Sequence, residues 1–311
     1  MIGSQEPGIR EAEAELFAAT GAQVEELWFD LPTLGLRVRV LAHGSGLPVV
    51  LLHGVSLSAA VWAPLLTALG GCRLLAVDLP GHGLSDPFEY RRGQVREHAH
   101  QLLEDLFDAL ELERATVIGH SLGGMFALWH AARSPERMSS LIAIGDPAVA
   151  LPGTRVRMPL SLLTVRGVGR AILSSPSPRP FYRHLLTHGL GHAEVASAPL
   201  ALLEALRLSG RRSGNARTIA SLMHAIDRFR VPRPESVLTS AELAAIATPT
   251  MFIWGTDDPY LSPARARPAI RQMPNATLHA LPAGHGPWLV HPSRTAELIH
   301  THLSRTASQP R

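Results

Sequence analysis

Short apolar runs alternate with amphipathic stretches along most of this chain. The run Leu47–Leu52 is apolar at successive positions and stops at His53-Gly54. That is the pattern of a strand buried on both faces. Similar runs stand at residues 115–119 and 139–145, with others at 73–79, 249–254 and 276–281. Between them, residues 59–69, 94–110, 122–132, 263–273 and 292–303 read as helices. Residues 9–20 add an opening helix, and 25–30 with 36–41 predict a hairpin around Pro32 and Gly35. Alternating strands and helices predict an α/β fold: a mostly parallel central sheet with helices on both faces.

The rhythm changes at Pro147. From there to about Ala247 the pattern is helical, broken at Pro152, 174–180, 210–214 and 231–234, with no buried-strand run. A segment of this length is not a simple loop. The reading is a core of residues 1–146 and 248–311 interrupted by a helical cap at 147–247. The tail, 304–311, is expected to fray.

Composition narrows the chemistry. At 46% hydrophobic and 18% charged residues, the chain is globular and not disordered. All 29 basic residues are arginine. Without lysine there is no Schiff base and no Walker A phosphate loop. No G-x-G-x-x-G follows a strand, so a dinucleotide site lacks its fingerprint. One cysteine, Cys72, and no H-E-x-x-H argue against zinc. No cofactor or metal is therefore expected. The apolar runs are far shorter than a membrane span, and the acidic N-terminal region has no signal core, which predicts a cytoplasmic protein.

Charge is unevenly placed. Residues 147–247 hold 13 Arg against 5 Asp and Glu, whereas the rest holds 16 against 21. These arginines are not interleaved with aromatics, so nucleic acid is not the expected partner. An anionic small molecule is a better match to the excess.

The residues that carry chemistry lie where strands end. The strand at 115–119 runs into Gly119-His120-Ser121-Leu122-Gly123-Gly124 and then a helix. This G-x-S-x-G turn holds a serine above the sheet edge. A serine hydroxyl needs a base, and the base needs an acid to orient it. The strand at 249–254 ends in Gly255-Thr256-Asp257-Asp258, and that at 276–281 in Pro282-Ala283-Gly284-His285. Both loops fall at strand C-terminal ends, where open α/β sheets keep their sites.

With these motifs the sequence resembles the α/β-hydrolase superfamily, in its cap-bearing Ser-His-Asp branch. The resemblance spans roughly residues 25–303 and rests on Leu51-Leu52-His53-Gly54, Asp78 through Asp86, the Gly119 turn, the loop at 254–259 and Gly284-His285. It implies Ser121 as nucleophile, His285 as general base and acid, and Asp258 as the orienting carboxylate. It also implies an oxyanion hole from the backbone N–H groups of Val55 and Leu122. The family spacing favours Asp258 over Asp257, and Asp146 is a further acid that follows a strand. The implied reaction is acyl transfer from a small-molecule substrate to water, with a carboxylic ester foremost. Carbon–carbon bond hydrolysis, thioester hydrolysis, acyl transfer and slow-turnover ligand sensing share the same residues.

Other positions receive structural expectations. His53, His82 and His120 are read as loop-holding residues. His184, His188 and His192 recur at helical spacing, but Gly189 and Gly191 interrupt them and no further ligand completes a metal site. Trp62, Met125 and Trp288 are candidates to line the substrate pocket.

Overall fold

The computed structural model of the chain describes residues 5–175, 178–212 and 214–307. Helix α1 (Glu6–Thr20) precedes the hairpin of β1 (Glu25–Leu31) and β2 (Leu36–His43). Then come β3 (Leu47–Leu52), α2 (Ala63–Ala68), β4 (Cys72–Val77), α3 (Val95–Ala109), β5 (Ala115–His120), α4 (Leu122–Arg133) and β6 (Met138–Ile144). The chain is helical from there: α5 (Val168–Ser174), α6 (Arg179–Leu190), α7 (His192–Ser197), α8 (Leu200–Gly210), α9 (Asn215–Ile226) and α10 (Ser240–Ala245). It closes with β7 (Thr250–Gly255), α11 (Pro263–Ile270), β8 (Ala276–Leu281), α12 (Pro287–Val290) and α13 (Pro292–Ala307).

The strands form one sheet in the order β1-β2-β4-β3-β5-β6-β7-β8. Only β2 runs against its neighbours. This is the α/β-hydrolase architecture expected from the sequence. Successive strand residues point to opposite faces, and here both faces are covered. Val50 and Leu52 of β3, Leu141 of β6 and Phe252 of β7 join one apolar cluster with α3, α4 and α9. Val49, Leu51, Ile142 and Ile253 join another with α2, α12 and α13. That division is why the central strands read as unbroken apolar runs. Helix α4 is buried from Leu122 through Ala131, so it too is apolar on nearly every side.

Several boundaries differ from the sequence reading. Residues 59–69 are not one helix: Ala59–Trp62 is a 3₁₀ turn and α2 starts at Ala63. Pro64 sits in the first turn of α2, where a missing N–H costs nothing. Helix α13 continues to Ala307, so part of the tail expected to fray is helical, while 308–311 lie outside the described residues. The breaks expected at 174–180 and 210–214 include Pro176, Ser177 and Ser213, also outside them. No helix among the described residues is long and apolar enough to cross a membrane.

Candidate active site

Ser121 occupies the turn between β5 and α4 with φ 49° and ψ −109°, a backbone state that L-residues rarely adopt. The crowding of the turn leaves room only for glycine on either side. A Cβ at Gly119 would stand 2.6 Å from Gly123 backbone, and one at Gly123 would stand 2.1 Å from the Leu52 carbonyl. The strain is held by the strand and helix packed around it. It places Ser121 in the wall of a cavity.

His285 lines the same cavity, on the loop after β8. Its Nδ1 lies 2.7 Å from Asp258 Oδ2. The carboxylate is fixed in turn: Oδ2 accepts from the Asp146 N–H at 3.0 Å and Oδ1 from the Tyr260 N–H at 3.0 Å. Asp258, and not Asp257, is thus the carboxylate bonded to His285. Asp257 is exposed and has the Thr256 hydroxyl at 3.3 Å. His285 Nε2 is buried and has no hydrogen-bond partner among the described residues, Ser121 Oγ included. Such bonds commonly tighten only when substrate is bound.

Val55 and Leu122 line the cavity beside Ser121. Leu122 is the first residue of α4, where a backbone N–H has no partner inside the helix. The three histidines read as structural are engaged as such. His53 donates from Nδ1 to the Gly54 carbonyl at 2.7 Å and accepts the Leu79 N–H at Nε2, 3.0 Å away. His82 Nδ1 lies 3.0 Å from the Pro80 carbonyl, and burial, aided by the neighbouring His53, lowers its pKa to about 3. His120 Nε2 lies 3.1 Å from the His285 carbonyl, so it braces the histidine loop as well as the turn.

Trp62, Met125 and Trp288 do not line the cavity, which corrects the expectation for all three. Each is fully buried. The two tryptophan rings pack 4.8 Å apart behind His120, with Trp288 Nε1 donating to the Val61 carbonyl at 3.0 Å. Aromatic size and closeness to the motif in sequence made them candidates, but their faces complete the core. The cavity wall comes instead from the segment between β6 and β7, through Leu163, Leu173, Phe181, Leu186, Ile219 and Met223. The cavity opens to solvent, and its volume is about 160 Å³.

Tyr260 and Glu194 escaped the sequence reading, and Asp146, which the sequence offers only as an alternative acid, has a different place. Tyr260 lines the cavity with its ring 4.6 Å from that of His285. Asp146 is wholly buried beside Asp258, and its carboxyl pKa is driven far up by burial and by that neighbouring charge. Glu194 of α7 is buried and accepts the Gly284 N–H, while the His285 N–H donates to the Leu190 carbonyl of α6 at 2.6 Å. Thus the insert grips the histidine loop by two backbone hydrogens. Nothing local marks Glu194, because its partner lies 90 residues away.

A group with metal-ligand potential, His100, Glu104 and His130, sits on α3 and α4 and not at the cavity. Glu104 is paired there with Arg137 at 3.2 Å.

Residues 48–292 match the family model described as alpha/beta hydrolase fold. A haloalkane dehalogenase of Agrobacterium fabrum is 36% identical over 124 residues, which span 39% of this chain and 39% of that protein. The chain therefore matches well under half of that relative's length. A 2-hydroxymuconate semialdehyde hydrolase of Pseudomonas sp. strain CF600 is 28% identical over 90% of this chain and 94% of its own length. Among solved structures, carboxylesterase CesB (YbfK) from Bacillus subtilis is similar with TM-score 0.76 at 20% identity, over 96% of this chain and 98% of that one. At that identity the likeness is one of fold.

Proposed function

Because the chain belongs to the α/β-hydrolase fold family, we propose that it is a serine hydrolase that cleaves a carboxylic ester through a seryl-ester intermediate. The observation that carries this reading is the convergence of Ser121 on its strained turn with an Asp258-bonded His285 in one largely apolar cavity.

The steps follow from the chemistry of the groups. Ser121 Oγ attacks the ester carbonyl as its proton passes to His285 Nε2, the ring nitrogen that Asp258 leaves free. Asp258 holds the tautomer with Nδ1–H toward itself and stabilises the imidazolium. The carbonyl electron pair moves to oxygen, where the Val55 and Leu122 N–H groups receive it; one such donor is typically worth about 10²–10³ in rate. Collapse expels the alcohol with the proton from Nε2. Water then attacks the seryl ester as His285 takes its proton, and collapse of that intermediate breaks the bond to Ser121 Oγ, which regains the proton from Nε2 as the carboxylic acid leaves. On this reading the segment 147–247 is a cap whose apolar side chains exclude bulk water.

A second reading is hydrolysis of a carbon–carbon bond, favoured by the near full-length similarity to the 2-hydroxymuconate semialdehyde hydrolase. Both use the same serine, so the first test is shared. A serine-directed phosphonate, followed by mass spectrometry, should modify Ser121, and esters should turn over in the wild type and not in Ser121→Ala. If the adduct sits elsewhere, or Ser121→Ala keeps its turnover, the proposal falls. Faster turnover of a vinylogous diketone than of any ester would move it to the second reading.

A further inference from the structure

Beside the cavity runs a groove that the reaction does not use. Four arginines wall it: Arg170 of α5, Arg211 and Arg212 after α8, and Arg217 in the first turn of α9. No carboxylate is among its described lining residues. The side chains of Arg170, Arg211 and Arg217 make no ion pair or hydrogen bond with any described residue.

Arg212 is the unusual member. It is 8% exposed, its Nη1 donates to the Ser85 carbonyl at 2.5 Å, and its Nε is buried with no partner among the described residues. A guanidinium removed from water without a counter-ion is costly, and proteins ordinarily pair it. Elsewhere in this chain the buried Arg39 is met by two carboxylates at 2.7 Å. The first turn of α9 adds the positive pole of a helix to the groove wall. An anion supplied from outside would give these guanidinium groups a counter-charge.

The groove and the cavity are neighbours, with Leu173, Gly210 and Arg211 lining both. We propose that Arg170, Arg211, Arg212 and Arg217 form the anion-binding end of the substrate site, so that the preferred substrate is an ester whose apolar chain fills the cavity and ends in an anionic group. This rests on Ser121 as the nucleophile for the reactive end.

The test compares monomethyl esters of aliphatic dicarboxylic acids with uncharged methyl esters of equal length, over a range of lengths. At the matching length the wild type should favour the acid by about tenfold in kcat/KM, mostly through KM, and high salt should erode that preference. In the double variant Arg211→Gln/Arg217→Gln the acid-to-neutral ratio should fall by about tenfold. Inorganic phosphate at high concentration should compete with the acid in the wild type and not in the double variant, which separates a general anion site from one that needs the attached chain. An acid-to-neutral ratio near one at every length, unchanged in the variant, overturns the inference while leaving the nucleophile intact. Should Ser121 resist the phosphonate, calorimetric titration with the same monoesters still reads the groove: tighter binding than by the neutral esters upholds it, and equal binding removes it.

Discussion

Two clusters of charge are buried in this molecule, and they are completed in opposite ways. On β2, one strand in from the sheet edge, Arg39 meets Glu13 and Asp78 at 2.7 Å and Glu26 at 3.4 Å. Asp78 also takes the Ala59 N–H at 2.7 Å and the Leu84 N–H at 2.9 Å. Burial pushes its carboxyl up, but Arg39, His53 and those amides outweigh burial and hold it below the usual range. None of the charged atoms in this cluster is left over. Around His285 the accounting stays open. Among the described residues Nε2 has no partner and Asp146 Oδ2 has none, and the carboxyls of Asp258 and Asp146 stand together. Finished bonding makes a structural joint. Unfinished bonding at His285 Nε2, in the wall of a cavity, is where a substrate can supply what is missing.

Breaking each cluster should therefore show in different measurements. The largest effect is expected from Asp258→Asn. Without the carboxylate the ring favours the wrong tautomer, and turnover should drop by about 10⁴ with the fold intact. Activity assays on circular-dichroism-matched protein decide it; a loss below tenfold would mean that another group orients His285. At the closed cluster, Arg39→Met strands Glu13 and Asp78 in the interior. It should cost about 3–5 kcal/mol of stability by urea unfolding. Turnover per folded molecule should remain near that of the wild type, and a collapse of catalysis in fully folded protein would erase the distinction between the clusters.

The contrast also explains what could be read from the sequence. The sheet was legible because β3, β5 and β6 are apolar at successive positions, a direct consequence of burial on both faces. Ser121, Asp258 and His285 were legible because each follows a strand, and strand ends need no knowledge of distant packing. The pocket wall was not. Trp62 and Trp288 turn into the core, and much of the cavity is lined by leucines and isoleucines of α5, α6 and α9, whose periodicity is that of any amphipathic helix. Glu194 was equally hidden, and Asp146 could be read only as an alternative acid and not as a carboxyl packed against Asp258, since both roles depend on contacts across the fold.

Glu194 offers a smaller perturbation of the open cluster. It does not touch the reacting atoms and acts by fixing Gly284, next to His285. Glu194→Ala should lower kcat by about tenfold, the worth of one buried hydrogen bond. Glu194→Gln keeps an acceptor oxygen and should restore most of it. A role confined to stability would predict equal kcat for the two variants once folded, with the difference confined to the melting temperature.

The smallest effect is one of slope. Burial and the adjacent Asp258 raise the Asp146 pKa well above its ordinary value. The folded chain then keeps a proton that the unfolded chain has lost. Its contribution is fully present below the unfolded carboxyl pKa, about 4, and is lost as pH rises towards the folded pKa. Buried His82 and His98 act with the opposite sign, because their pKa values are lowered to about 3. They favour the folded state fully above the unfolded histidine pKa, about 6.5, and less as pH falls. The raw stability curve mixes the two, so the wild type must be compared with Asp146→Asn, which leaves those histidines in place. The melting temperature of Asp146→Asn relative to wild type should climb steadily with pH. A constant difference between the curves would mean that Asp146 is ionised in the folded protein, and that Asp258 shares its site with a second charge.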